Sequence, residues 1–247
     1  MPPKLFAGLT AGLLFASSAY AVEIAVLPVG LSLGAGHGRG AITVTNRGAE
    51  AVAMQVEAVS WTQTDGRDHY APTRDLLVNP PLFTLGPGRA QVLRVGLRQP
   101  PSGERELAYR LFLREVPPPA APPPDQASGG SRVRVLLELR LPVYVEPARI
   151  VRESHWQGQR STDGAIEVTV ANNGNVHMTV GELTLRAADA AADSPPLAAV
   201  KNNAAVFPGQ QRSWALRPQA AAPGRRFMLN VATDQGPRDV ALDLGRP

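Results

Sequence analysis

The chain has 247 residues, of which 44% are hydrophobic and 5% aromatic, and its formal net charge is +4. It contains no cysteine, which excludes disulfide bonds, a thiol nucleophile and a cysteine-ligated metal. The positive charge comes from arginines scattered along the sequence, without a Lys/Arg run or a nucleic-acid-binding motif, so nucleic acid is not expected as a partner.

The N-terminal segment has the three parts of a secretory signal peptide. Lys4 provides the positive charge, Leu5–Phe15 the apolar run, and Ala19-Tyr20-Ala21 the small residues that a signal peptidase recognises. The apolar run is shorter than the about 20 residues that a membrane-spanning helix needs. We therefore expect a signal peptide over residues 1–21 with cleavage after Ala21, export, and no membrane insertion.

The rest of the sequence alternates short β-rich runs with Gly, Pro, Asn and Asp, and it carries almost no helical pattern, as is typical of β-sandwiches. In chain order the predicted strands are Ile24–Leu33, Ala41–Asn46, Ala51–Trp61, Gln91–Leu97, Leu107–Val116, Arg132–Val145, Ala165–Ala171, Val176–Arg186, Ala204–Leu216, Phe227–Ala232 and Arg238–Leu244. Two of these strands end in similar turns, Asn46-Arg47-Gly48 and Asn172-Asn173-Gly174. The repetition predicts an all-β protein with two similar sandwich domains.

A proline-rich segment, Pro117–Gly130, interrupts the first half of the sequence. Its prolines remove backbone donors and favour an extended conformation. Because a long strand and the turn Glu146-Pro147 follow it, we interpret the segment as a mobile loop inside the first domain and not as a linker. The predicted domains are residues 22–146 and 147–247.

The strand that follows this loop, Arg132–Val145, has an aliphatic residue at every second position. The aliphatic residues are Val133, Val135, Leu137, Leu139, Leu141, Val143 and Val145. Since side chains alternate between the two faces of a strand, these residues lie on one face. Pro142 favours an edge position, and a long hydrophobic edge strand is an aggregation hazard unless a partner covers it. The residues alone leave two interpretations open, a strand packed in its own core and a strand that binds a partner.

Candidate catalytic and metal-binding residues are sparse. The histidines are His37, His69, His155 and His177. They lie far apart without ligand spacing, so we interpret each as a loop or surface residue. No Gly-x-Ser-x-Gly nucleophile motif occurs. We predict neither enzymatic activity nor a cofactor or metal, which makes a secreted hydrolase the least favoured class, and we expect Trp61, Trp156 and Trp214 to pack in cores.

Nine segments taken together, in this order, carry a family resemblance. They are Ile42–Asn46, Val59–Trp61, Leu77–Pro81, Phe83–Gly88, Gln91–Val95, Arg105–Pro118, Leu141–Pro147, Asn172–Gly174 and Thr233–Gly236. The sequence resembles the periplasmic pilus-assembly chaperones of the chaperone–usher pathway. The resemblance implies two immunoglobulin-like β-sandwich domains set at an angle with a cleft between them, and a location in the periplasm.

The function that the resemblance implies is donor-strand complementation. A chaperone of this family lends its G1 strand to a pilus subunit that lacks its last strand, and an outer-membrane usher then receives the subunit. Here the G1 strand is residues 132–145, and the groove-filling residues are Val133, Val135, Leu137 and Leu139. Burial of four aliphatic side chains contributes on the order of 6–12 kcal/mol before entropy is counted. Weak self-association through the same edge is a further expectation.

The resemblance also implies two sets of charged residues. Many members hold the C-terminal carboxylate of the subunit with an Arg and a Lys, but the matching positions here are Gly30 and Pro142. The anchor is therefore either missing or provided by Arg140 or Arg110.

A charge network between the domains is expected from the matching residues Arg94, Glu106 and Asp234. The alternative to the chaperone function is a structural or adhesive immunoglobulin-like secreted protein that keeps its own G strand.

Overall fold

A computed structural model describes residues 23–100, 103–117, 135–190, 194–219, 222 and 224–244. These residues form 17 β-strands. The strands are β1 (Ile24–Leu27), β2 (Leu31–Leu33), β3 (Arg39–Asn46), β4 (Val52–Thr64), β5 (Arg67–Pro72), β6 (Leu76–Asn79), β7 (Leu82–Leu85), β8 (Ala90–Leu97), β9 (Leu107–Val116), β10 (Glu138–Val145), β11 (Ser154–Arg160), β12 (Ile166–Asn172), β13 (Met178–Ala187), β14 (Ala198–Val206), β15 (Gln211–Leu216), β16 (Arg226–Thr233) and β17 (Gly236–Asp243). The predicted signal peptide, Val133 and most of the proline-rich segment lie outside the described residues.

The first sandwich consists of two sheets, with strand orders β1-β3-β8-β6 and β2-β10-β9-β4-β5, and β7 pairs with β4 at the side. Alternate residues of each strand point between the sheets because side chains alternate along a strand. The core that they form includes Ile42 and Leu93 from one sheet and Met54, Leu111 and Val143 from the other.

The predicted strand Ile24–Leu33 is two strands in the structure. β1 pairs antiparallel with β3 in one sheet, and β2 pairs parallel with β10 in the other. The exposed residues Pro28 and Val29 separate them, and Pro28 has no N–H to contribute to a ladder. The prediction of one continuous strand was wrong because the chain crosses from one sheet to the other here.

The second sandwich consists of the sheets β11-β12-β15 and β14-β13-β16-β17 around a separate core. The predicted strand Ala204–Leu216 is divided between β14 and β15. A turn at Phe207–Gln210 separates them, in which Gln210 donates its N–H to the Phe207 carbonyl at 3.0 Å. Gly209 has φ +75°, a backbone conformation that glycine adopts without steric cost.

The two Asn-containing turns have the same hydrogen bonds in both sandwiches. Asn46 Nδ2 donates to the carbonyls of Glu50 at 2.7 Å and Leu85 at 3.0 Å. Asn172 Nδ2 donates in the same way to Val176 at 2.9 Å and Val206 at 2.8 Å. In each turn the glycine two residues on donates its N–H back to the asparagine Oδ1. The similarity predicted for the two halves thus extends to individual bonds.

The strand predicted over 132–145 is shorter where it is described. β10 begins at Glu138, and residues 135–137 have no strand assignment. Among the described residues before Glu138, one backbone bond continues the pairing with β9, from Glu115 N to the Leu137 carbonyl at 2.9 Å. The aliphatic alternation therefore extends further than the strand itself.

Candidate functional site

One edge of β10 is largely open. The strand pairs with β9 along its full length, Glu138 to Val145, but with β2 only from Val143 to Val145. Among the described residues no strand covers the other edge from Glu138 to Pro142. Such an edge offers backbone N–H and C=O groups to an additional strand.

The apolar row on β10 becomes more exposed toward its N-terminal end. Leu141, Val143 and Val145 are buried in the first core, and Leu139 is half-buried against it. Leu137 is also half-buried, whereas Val135 is 84% exposed. The sandwich thus covers one end of the row and leaves the other end accessible.

Gly30 and Pro142 are neighbours at the open edge. A Cβ atom on Gly30 would lie 2.9 Å from Pro142 Cγ and 3.1 Å from the Pro142 carbonyl oxygen. The structure therefore brings together the two positions at which a basic pair was expected from the resemblance. No larger residue than glycine fits beside this proline without a shift of the backbone.

Arg110 lies directly across from Pro142, in register on β9. Its guanidinium carbon is 3.6 Å from the centre of the Trp61 ring, a stacked cation–π contact. Arg110 Nε and Trp61 Nε1 are both buried, and neither has an acceptor among the described residues. Arg110 Nη1 is more accessible and donates only one long bond, to the Arg140 carbonyl at 3.4 Å, so the guanidinium retains donor capacity for an incoming oxygen acceptor.

Arg140, the other anchor candidate, is already paired. Its Nε donates to Glu138 at 2.7 Å, and Glu138 accepts a second bond from Arg114 at 2.7 Å. Arg114 also donates to Glu57 at 2.5 Å, which extends the chain of charges from β10 across β9 to β4. Hydrogen bonds from Arg114 and then Arg140 hold the pKa of the Glu138 carboxyl below its usual value. Arg110 differs, since it has no carboxylate partner among the described residues.

A charged cluster connects the two sandwiches, but its composition differs from the prediction. Glu106 Oε1, on the segment before β9, is 2.7 Å from His177 Nδ1 and also accepts the His177 backbone N–H at 3.0 Å. His177 Nε2 is 3.9 Å from Asp234 Oδ2. Glu106 and Asp234 therefore meet at a histidine. Spacing along the sequence could not reveal this, because 71 residues separate Glu106 from His177.

Arg94 was wrongly predicted to belong to this cluster. It alternates on β8 with Leu93 and Val95, which are buried in the first core, so its side chain points away from the core to the outer face of the sheet. It makes no ion pair among the described residues. His177 does lie in a loop, as expected, but its side chain is only 16% exposed and is not a free surface group.

Aromatic and amide contacts complete the junction. Tyr144, near the end of β10, stacks on the His177 ring with centroids 3.6 Å apart and planes inclined by 13°. Trp61 is buried, as expected, and meets Phe207 edge-on at 4.5 Å, so its burial comes in part from the junction between the sandwiches. Gln63 Nε2 donates to the Ala205 carbonyl at 3.1 Å, and Gln63 Oε1 accepts the Phe207 N–H at 3.2 Å.

A cleft of about 330 Å³ lies between the sandwiches and is lined by residues of both, among them Gln63, Tyr109 and Phe207. Tyr109 donates from its hydroxyl to Asp75 at 2.9 Å, and burial together with this bond raises the pKa of Tyr109. In the described part of the chain, no His, Cys, Asp and Glu side chains group as a metal site requires. The same residues include no helix that could span a membrane.

Solved structures with the same fold are pilus chaperones and their complexes. The chain matches a chain of the CsuC–CsuE chaperone–tip adhesion subunit complex of the archaic Csu pili of Acinetobacter baumannii, with a TM-score of 0.62, 15% identity, and coverage of 91% of this chain and 100% of that one. It matches the E. coli chaperone DraB with a TM-score of 0.60, 17% identity, and coverage of 91% and 97%. It also matches the Salmonella enterica structure of the SafA pilin with the SafB chaperone, with a TM-score of 0.61, 15% identity, and coverage of 92% and 99%.

These matches confirm the predicted fold class, two immunoglobulin-like sandwiches at an angle with a cleft between them. No curated protein matches the sequence. The family model of the pili and flagellar-assembly chaperones, PapD N-terminal domain, matches residues 24–151, which is more than half of the chain. The chain therefore belongs to the PapD family of pilus-assembly chaperones.

Proposed function

We propose that this chaperone binds pilus subunits by donor-strand complementation and delivers them to an outer-membrane usher. The observation that carries the proposal is the apolar row of β10, which continues past the core along an open edge. A subunit that lacks one strand needs both features, unpaired backbone groups and alternate apolar side chains. The chaperone–subunit complexes of the Csu and Saf systems support a subunit as the partner.

In this proposal the residues that enter the subunit groove are Val133, Val135, Leu137 and Leu139. Each aliphatic side chain contributes about 1.5–3 kcal/mol when it is fully buried. Val135 has more to gain than Leu139, because it is 84% exposed in the free chain, whereas Leu139 already packs partly against the first core. No chemical step is required, since one strand is exchanged for another, and we infer a binding protein and not an enzyme.

Arg110 is the residue that we propose as the anchor for the C-terminal carboxylate of the subunit. It lies across from Pro142, which has Gly30 on its other side, and these are the two positions at which the resemblance leads us to expect basic residues. Arg110 lacks a carboxylate partner among the described residues. Arg140 is less suited because Glu138 already occupies it. A carboxylate at Arg110 would receive charge-assisted hydrogen bonds, which are stronger than neutral ones.

We place the mature protein in the periplasm. The signal-peptide pattern of residues 1–21 and the family membership support this location. Cleavage after Ala21 remains a prediction that N-terminal sequencing of the exported protein would test.

The test is co-expression in a bacterial periplasm with a candidate pilus subunit. The variant carries Val135→Asp and Leu137→Asp, and the matched control carries Leu77→Asp and Val92→Asp, which are exposed apolar positions on the other sheet of the same sandwich. We expect wild type and control to yield a one-to-one complex with the subunit, and the β10 variant to leave the subunit to degradation. Equal recovery of the subunit with all three would refute the donor strand.

A structural or adhesive protein that keeps its own strand is the second candidate. It is favoured by the contact of Leu139 with the core of its own domain. In that case no subunit would copurify with wild type.

A further inference from the structure

His177 connects both sandwiches through one imidazole ring. Its Nδ1 is 2.7 Å from Glu106 Oε1, whose side chain is only 3% exposed. One face of the ring stacks on Tyr144 at 3.6 Å. Glu106 and Tyr144 belong to the first sandwich, so both contacts cross the junction.

Among the described residues, three titratable groups contact or face this ring, each from a different segment. They are Glu106 from the segment before β9, Tyr144 from β10, and Asp234 from the turn between β16 and β17. Burial raises the pKa of Tyr144, so the phenol stays neutral over the physiological range. The ring therefore meets two carboxylates and one uncharged aromatic face.

Both contacts across the junction become stronger when the ring carries a proton on each nitrogen. The bond to the Glu106 carboxylate then joins two opposite charges, where the neutral ring supplied only an uncharged donor. The stacking on Tyr144 gains the attraction of a cation for an aromatic face. Asp234 Oδ2 is 3.9 Å from Nε2, so an N–H on that nitrogen points toward a carboxylate, whereas in the neutral ring the Nε2 lone pair faces it.

We propose that His177 is a proton-sensitive contact between the two sandwiches, which holds them in a narrower range of arrangements when its imidazole is protonated. Histidine is the side chain that ordinarily changes charge between about pH 5 and 8. The spread of domain orientations is therefore expected to increase as the pH rises through that range. Tyr144 lies on β10, so the same contact steadies the C-terminal end of the proposed donor strand.

The absence of cysteine from the chain makes the test direct. Cysteines are introduced at the exposed positions Glu50 and Asp243, one in each sandwich, and spin-labelled. Pulsed electron–electron double resonance then gives the distribution of distances between the two spin labels. It is measured at about pH 5.5 and about pH 8.5, near the two ends of the range in which histidine ordinarily changes charge. Wild type is expected to give a broader distribution at the higher pH.

Variants identify the group that responds. His177→Gln keeps a polar side chain but cannot be protonated, and its distribution is expected to be the same at both pH values. His155→Gln, at an exposed histidine of β11, is the matched control and should respond like wild type. Should His177→Gln fail to fold, Asp234→Asn serves instead. Its distance distribution should narrow less at low pH than that of wild type.

A wild-type distribution that does not change with pH would overturn the proposal. So would a full response in His177→Gln or, where that variant does not fold, in Asp234→Asn. Because the free protein is measured without a subunit, a failed donor-strand experiment would not affect the result, and the reverse also holds.

Discussion

Replacing Arg110 by Gln removes the guanidinium from the proposed anchor while keeping a polar side chain beside Trp61. In the free protein this change removes the cation–π contact, about 0.5–1 kcal/mol, and a long, exposed hydrogen bond from Arg110 Nη1 to the Arg140 carbonyl at 3.4 Å. It also removes a buried Nε donor that has no acceptor among the described residues, which offsets part of that cost. The free variant should therefore unfold at nearly the same denaturant concentration as wild type.

The complex with a subunit should be affected more strongly. A hydrogen bond to a charged group contributes about 1.5–3 kcal/mol, which corresponds to a roughly tenfold to 150-fold increase in Kd. The assay is titration of the chaperone with a subunit, and with the same subunit extended by two glycines so that its carboxylate no longer reaches Arg110. The two changes should be strongly non-additive, because each removes the same contact.

Arg140→Gln is the matched control, since Arg140 lies on the neighbouring strand and is paired with Glu138. We expect it to leave Kd almost unchanged. Equal losses for Arg110→Gln and Arg140→Gln, or additive effects of Arg110→Gln and the extended subunit, would refute the assignment of the anchor.

Three further predictions concern the scaffold. Asn172→Ala should lower the free energy of unfolding of the second sandwich by about 3–5 kcal/mol, and Asn46→Ala should lower that of the first by about 2–3 kcal/mol. The loss is larger for Asn172 because all three of its hydrogen bonds are buried, whereas only one of the three bonds of Asn46 is. Urea unfolding measures both losses, and a larger loss for Asn46→Ala would contradict this explanation. Gly30→Ala should destabilise the first sandwich by about 1–3 kcal/mol, because the new Cβ atom would lie 2.9 Å from Pro142. Adding Pro142→Ala to the same chain should restore part of the lost stability. An unchanged melting temperature in Gly30→Ala would count against the close approach of the two residues. Glu138→Gln should be less stable than wild type at neutral pH. Because folding lowers the pKa of Glu138, the difference in unfolding free energy between the two proteins should disappear as the pH falls below about 4.3, and it should shrink in high salt. A difference in stability that persists in acid would exclude the ion pairs of Glu138 as its cause.

The strand pattern could be predicted where one face of a strand is buried. β3, β9 and β12 have clear alternation, and the sequence was sufficient to locate them. β5 and β11 were missed because most of their residues are exposed, so their sequences carry no apolar alternation. The single strands predicted at Ile24–Leu33 and Ala204–Leu216 were wrong because a proline or a turn redirects the chain inside each run.

The site was predictable in part. The aliphatic row of residues 132–145 is visible in the sequence because its period is two. How much of the edge of β10 is covered depends on where β2 begins, and only the structure shows this. The proposed use of Arg110 depends on its stacking with Trp61, a contact between two strands far apart in the chain, and on the salt bridge of Arg140 with Glu138 inside β10.

The junction between the sandwiches was the least predictable feature. Glu106 and Asp234 do meet, but through His177, whose neighbours in the sequence give no indication of a charged partner. Arg94 matched the family pattern by position, yet the alternation of β8 directs it outward. Residue type and position alone could not show that Glu106 and Asp234 lie at the junction and that Arg94 does not.

Hydrogen–deuterium exchange at the backbone amides of residues 135–141, with and without a bound subunit, tests the donor-strand account most directly. In the free protein the open edge of β10 should exchange faster than β9, its fully paired neighbour. The account predicts strong protection of these amides on subunit binding, because a new strand pairs with them. Protection elsewhere, with unchanged exchange along residues 135–141, would contradict it.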